Sequence, residues 1–232
     1  MTRLESDALV LRTVDVGESD VVATLLTERA GKVSAIVRGA RRGSRRIGGA
    51  LEPVHGVAVL LDDRGAELAT LKEASIVRLR ASLVSRLDAL EAAGTALRWA
   101  RHLFPPRTPE PEGWRVLVEL LDALDDANAA PRHALARAGL AMLSAVGYGL
   151  ELDQCVGCGR RCPEGRAACL DPARGGIVCR SCGGAVTVLA PAARDAARAL
   201  AAGGARDVGD AEAQVVLGVV DRAMAVHAGF ER

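Results

Sequence analysis

Apolar and polar positions alternate along the first third of the chain, and then settle into a helical rhythm. Leu9, Leu11 and Thr13 alternate with Val10, Arg12 and Val14, and Val21 to Thr27 continues the β-rich pattern after Gly17-Glu18-Ser19-Asp20. Val33 to Val37 follows a turn at Gly31, and Val54 to Leu61 and Glu67 to Val77 flank the hairpin signal Asp62-Asp63-Arg64-Gly65. Five short strands with no helix-length interval between them predict a small closed barrel of the OB type over residues 1–78.

From about Ser82 the apolar residues recur at helical spacing. Leu83, Leu87, Leu90, Leu97 and Phe104 fall on one face, Pro105-Pro106 ends that helix, and Trp114, Leu117, Leu121 and Leu124 begin another. A third helix is expected from Pro131 to Gly147 with Leu135, Met142 and Val146 as its apolar face. An alanine-rich helix from Pro191 to about Ala202 and a last one from Asp210 complete a helical domain over 79–232. The predicted class is α+β. Such stripes ordinarily build core, so no chemistry is assigned to them.

Between the helices lies a segment without apolar periodicity, at about 153–184, and it carries two CxxC pairs. Cys155 and Cys158 are followed, after twenty intervening residues, by Cys179 and Cys182. Two residues between thiolates let each pair form a tight knuckle, as tetrahedral zinc requires, and Gly159 and Gly183 stand where the chain must turn around the metal. A dithiol redox centre needs only one pair, at a strand-to-helix junction that is absent here. A site saturated by four thiolates leaves no open position for substrate, so one structural zinc ion is expected. Cys162 and Cys169 are read as spare thiols, and the four scattered histidines as surface or core residues.

The N-terminus carries acids where a secretory signal would be basic and then apolar, and no apolar run reaches membrane-spanning length. The chain is therefore expected in the cytoplasm, where thiols stay reduced and clustered cysteines bind metal rather than form disulfides. Net charge is +1, which excludes nothing, but its distribution is uneven. Arg38, Arg41, Arg42, Arg45 and Arg46 fall within nine residues after Lys32, interleaved with glycines, and no acid lies between Glu28 and Glu52. Such a run is often a solvated loop; here the lack of a local counter-charge makes a nucleic-acid backbone the natural ligand, since guanidinium forks match phosphate geometry. All five aromatic residues lie outside the barrel, so bases cannot stack on it, and binding should be electrostatic and indifferent to sequence. No GxxxxGK[ST], HExxH or GxSxG motif is present, and an enzyme is not expected.

Several phrases, taken in order, resemble the bacterial recombination mediator RecO family over essentially the whole length. They are Ala8-Leu9-Val10-Leu11-Arg12, Gly17-Glu18-Ser19-Asp20, Gly31-Lys32 leading to Arg38-Gly39-Ala40-Arg41, Leu51-Glu52-Pro53, Gly147-Tyr148 leading to Leu152, and Asp171-Pro172 with Gly175-Gly176. The resemblance implies an N-terminal OB domain and a helical domain carrying a zinc module. It further implies binding of single- and double-stranded DNA, annealing of complementary strands, and, with RecR and often RecF, loading of RecA onto strands coated by single-strand-binding protein, whose acidic tail is also a partner. The family's basic surface maps onto Lys32, Arg38, Arg41, Arg42, Arg45 and Arg46. The alternative from the residues alone is an RNA-binding translation or transcription factor with OB barrel and zinc ribbon; another is a scaffold that docks an acidic protein surface on its arginine loop.

Overall fold

The computed structural model describes residues 2–40, 47, 49–204 and 208–229. The chain divides into two compact units, 1–127 and 128–232. The first opens with five strands: β1 (Thr2–Val16), β2 (Asp20–Thr27), β3 (Gly31–Val37), β4 (Gly56–Asp63) and β5 (Ala69–Arg78). They close into a barrel of order β1-β2-β3-β5-β4. The β3–β5 pair is parallel, from Ala35↔Ala69 to Ile36↔Thr70, and the other pairs are antiparallel.

Alternation drives this closure. Along β3, Gly31, Val33, Ala35 and Val37 are buried while Lys32, Ser34 and Ile36 face outward, the period-two pattern of a half-buried strand. Val10, Leu25, Val33, Val59, Leu61 and Leu71 meet in an interior that holds aliphatic side chains throughout. A β-bulge between Val10 and Arg12 interrupts the β1–β2 register and re-aims the strand there. Gly31 must be glycine: its φ is +67° and an added Cβ would stand 1.9 Å from the Thr108 carbonyl oxygen.

The same unit continues through α1 (Ala81–Val84), α2 (Leu87–Leu103) and α3 (Pro111–Asp125). The buried face of α2 is Ala89, Ala92, Ala93, Ala96, Leu97, Trp99, Ala100 and Leu103. Leu87, expected on that face, is exposed, because the helix begins at Leu87 and small alanines allow close packing one turn further on. Arg80 is fully buried and joins the barrel to α3: its guanidinium donates to the Val54 carbonyl and pairs with Asp122.

The second unit contains α4 (Pro131–Ala145), a three-stranded sheet of β6 (Ala168–Asp171), β7 (Gly176–Ile177) and β8 (Thr187–Leu189), then α5 (Pro191–Ala201) and α6 (Asp210–Ala228). The helices α4, α5 and α6 pack on one another, and β6 is the middle strand of its sheet. No helix among the described residues is long and apolar enough to cross a membrane.

Candidate metal centre and nucleic-acid interface

The cysteine segment builds its site from two turns. In the first, Gly159 N–H donates to the Cys155 carbonyl and Cys155 N–H to Arg160. In the second, Cys182 N–H and Gly184 N–H both donate to the Cys179 carbonyl. Gly159 (φ +71°) and Gly183 (φ +102°) occupy the left-handed region just after each pair, so the turns close without Cβ strain. Val156 N–H donates to Ile177, which fastens one turn to the strand that leads into the other.

The four sulfurs converge. The Sγ atoms of Cys155, Cys158, Cys179 and Cys182 all lie within 4.8 Å of one another, and Cys158 and Cys179 are 3.7 Å apart. A disulfide needs about 2.05 Å, so these are thiols. Tetrahedral metal–sulfur bonds of about 2.3 Å place ligand sulfurs roughly 3.8 Å apart, and the observed cluster fits that figure. Backbone N–H groups of Cys179 (3.3 Å) and Gly157 (3.4 Å) point at Cys155 Sγ. Those donors, Cys179 first, draw the Cys155 thiol down to about 6. Cys182 is pushed up to about 12 by hydrogen bonding to Cys179, Cys158 and Cys155, the response of a thiol crowded by other sulfurs. The arrangement can hold one metal ion. Cys162 and Cys169 stand outside this cluster.

A residue that the sequence reading passed over holds the segment in place. Arg194 is 1% exposed and donates from Nε to the Leu152 carbonyl (2.8 Å), from Nη1 to Pro163 (2.8 Å) and from Nη2 to Cys162 (2.9 Å). The signal was visible: Arg194 falls on the buried stripe of α5 with Ala193, Ala196, Ala197 and Leu200, where an arginine is out of place unless it is fully bonded.

The basic residues divide. Arg38 is exposed in the turn leaving β3, and the neighbouring Gly39 N–H donates to Asp20 Oδ1 at 2.9 Å. Asp20, from the Gly17-Glu18-Ser19-Asp20 turn, thus pins the start of the arginine run. Arg41, Arg42, Arg45 and Arg46 lie outside the described residues. Lys32 sits at the opposite end of β3, six residues from Arg38 and so roughly 20 Å away at 3.3 Å per residue. Its Nζ donates to the Arg101 carbonyl in the last turn of α2, and burial first, then Arg101, lowers its pKa. Arg107 N–H donates to the Lys32 carbonyl, so this end of β3 is tied to the α2–α3 connection.

Comparison with known proteins settles the family. The family model described as recombination protein O N terminal matches residues 1–80, and that described as recombination protein O C terminal matches 84–231. The chain belongs to the recombination protein O family. Proteins named DNA repair protein RecO share its sequence across most of their length. That of Anaeromyxobacter sp. strain K is 41% identical over 202 residues, covering 86% of this chain and 78% of the relative. The relative from Anaeromyxobacter sp. strain Fw109-5 is 40% identical over 191 residues, covering 82% and 74%. That of Geobacter sulfurreducens is 37% identical over 184 residues, covering 79% and 74%. Membership of the RecO family gives the chain a role in DNA repair and recombination. The family's bipartite match runs through the barrel first and the helices with the four-cysteine cluster second, the order in which the fold presents them.

Proposed function

We propose that this protein is a recombination mediator that binds single- and double-stranded DNA through phosphates, anneals complementary strands and, with RecR and RecF, helps load RecA onto strands coated by single-strand-binding protein. The observation that carries the reading is a barrel built from aliphatic residues in a chain of the recombination protein O family, with arginines leaving its β3 strand. Two DNA strands repel through their phosphates. A basic surface that holds both lowers that barrier, and a barrel without aromatic stacking leaves the bases free to pair. The phosphate contacts are assigned to Arg38, Arg41, Arg42, Arg45 and Arg46, with Lys32 contributing the donors its carbonyl partner leaves over. No bond is made or broken, so no catalytic residue is invoked. The work is done in the cytoplasm, on the nucleoid.

The metal is assigned as one zinc ion on Cys155, Cys158, Cys179 and Cys182. Zinc here would neutralise crowded thiolates and lock the two turns together, and four sulfurs would leave it no site for substrate. Family membership in DNA repair favours this reading over an RNA-binding translation or transcription factor. The test is duplex formation from labelled complementary strands coated with single-strand-binding protein. The protein should accelerate it, and the variant Arg41→Ala/Arg42→Ala/Arg45→Ala/Arg46→Ala should lose most of that acceleration. No acceleration by the parent protein would reject the mediator reading.

A further inference from the structure

The cysteine segment carries a cavity of about 480 Å³. Its apolar lining comes from Ala168, Ile177, Val178 and Val188, and Cys155 and Cys179, one from each CxxC turn, stand in its wall. Arg160, Arg161, Arg166 and Arg180 also line it, and all four are exposed. They reach it from separate places in the chain. Arg160 and Arg161 follow the first turn, where the Arg160 carbonyl accepts from Cys155 N–H. Arg166 precedes β6, and Arg180 lies inside the second turn, between Cys179 and Cys182. No described aspartate or glutamate lines the cavity.

Between Leu152 and Gly184 the chain has five arginines against Asp153, Glu164 and Asp171, a modest basic excess. The fold separates the two signs. Asp153 turns to α5, where its carboxylate meets Arg198 Nε at 2.6 Å, and Asp171 accepts from Ala173 N–H at 3.0 Å. Glu164 is exposed and does not line the cavity. Arg174 is taken up by the second turn, donating to the Cys182 carbonyl at 3.3 Å. The other four arginines are left around one cavity, and among the described residues no carboxylate stands within salt-bridge reach of them. Guanidinium groups gathered in this way repel one another, and a ligand bringing several negative charges would turn that repulsion into attraction. A single small anion would engage one or two of the forks. A phosphate polymer engages all four, and its sugars present carbon faces to the aliphatic lining. Membership of a DNA repair family makes that polymer DNA rather than an acidic peptide.

We propose that Arg160, Arg161, Arg166 and Arg180 form a DNA-backbone surface on the cysteine segment, made of residues other than the arginine run that leaves β3. The surface reads phosphates and sugars and no bases. It gives the sulfur cluster a task beyond holding the segment together: joining the two turns brings Arg180 to the same cavity as Arg160 and Arg161. This inference rests on the DNA-binding reading of the proposed function and extends it to the second unit.

The experiment measures binding of labelled single-stranded DNA by the full chain across a range of salt, with metal content recorded for each variant. Arg160→Gln/Arg161→Gln/Arg166→Gln/Arg180→Gln should flatten the slope of log affinity against log salt by about 2.8, at roughly 0.7 per contact. Lys at the same four positions should keep the parent slope, since charge sets counterion release. Arg161→Gln/Arg166→Gln leaves every residue of both CxxC pairs in place and should flatten the slope by about 1.4, so the test stands even where the fourfold variant loses metal. An unchanged slope in both Gln variants would overturn the proposal. Loss of polyglutamate binding in those same variants would then give the cavity to an acidic protein partner. A slope that only the arginine-run variant flattens would remove this surface and leave the proposed function standing. A parent protein with no salt-dependent DNA binding would overturn the proposed function itself.

Discussion

In the barrel, side chains such as Val10, Leu25, Val33, Val59, Leu61 and Leu71 converge from five strands on one interior. Between Leu152 and Gly184 the buried apolar side chains are Leu152, Ala168, Leu170, Ile177 and Val178, spread over two short strands and several turns. The barrel gains its order from area removed from water, spread over many residues, so no single side chain decides it. The cysteine segment concentrates its order in two nodes: four convergent sulfurs on one side and the Arg194 guanidinium on the other. Distributed burial tolerates loss gradually. A nodal design fails at once when its node is removed.

The largest expected effect follows from that contrast. Cys158→Ala or Cys182→Ala should empty the site and unfold 152–184 locally, because apparent metal-binding energy in such modules, roughly 10 kcal/mol, is folding energy. Metal analysis should fall from one ion per chain to none, and limited proteolysis should cut within 152–184 while the barrel stays protected. Cys162→Ala and Cys169→Ala should leave the metal content unchanged; a loss there would redraw the ligand set. Acid should act as these variants do, since protons compete with the metal for each thiolate, and added chelator should hasten the loss.

Arg194→Met tests the other node. It leaves the Leu152, Pro163 and Cys162 carbonyls without their donor, at a cost of about 4 kcal/mol by urea unfolding of the second unit. Leu25→Ala, by contrast, opens one cavity in a continuous barrel core and should cost about 3 kcal/mol with metal content untouched. Were Leu25→Ala to release metal, the separation of the two regions would be false.

The smallest effect lies on the rim of the barrel. A side-chain hydrogen bond from Arg107, helped by the Gly65 N–H, holds the Asp63 carboxyl below its ordinary value of 3.8. A depressed carboxylate contributes stability that is present above its ordinary value and lost as pH falls through the folded one. Stability should therefore decline below about pH 4, by less than about 1 kcal/mol because the pair faces solvent. Asp63→Asn should remove that part of the decline in acid-titrated melting.

The barrel was legible because its signal is local: period-two alternation in β3 and hairpin residues at Asp62 to Gly65 need no knowledge of partners. The bounds were less so. β1 begins at Thr2 rather than near Leu9, because its first residues pair with β4 from Thr2↔Asp63 onward, a contact some sixty residues away. The cysteine cluster was equally legible, since CxxC spacing constrains sulfur positions within each turn. Arg194 was missed because its partners are backbone carbonyls, which no residue type announces. Lys32 was grouped with the arginine run by proximity in sequence, and the strand carries it to the other end of β3. The face of α2 was misread at Leu87 because alanine, weak as a hydrophobic signal, forms most of the helix's buried stripe.

The proposed binding of nucleic acid by phosphates alone is tested most sharply by the salt dependence of single-strand binding. With Lys32, Arg38, Arg41, Arg42, Arg45 and Arg46 each neutralising one phosphate, the slope of log affinity against log salt should be at least about −4 in steepness. It should be the same for a homopolymeric and a mixed-sequence strand, because phosphates carry no base information. A shallow slope, or an affinity that changes tenfold with base composition at constant salt, would show that phosphates are not the main contacts.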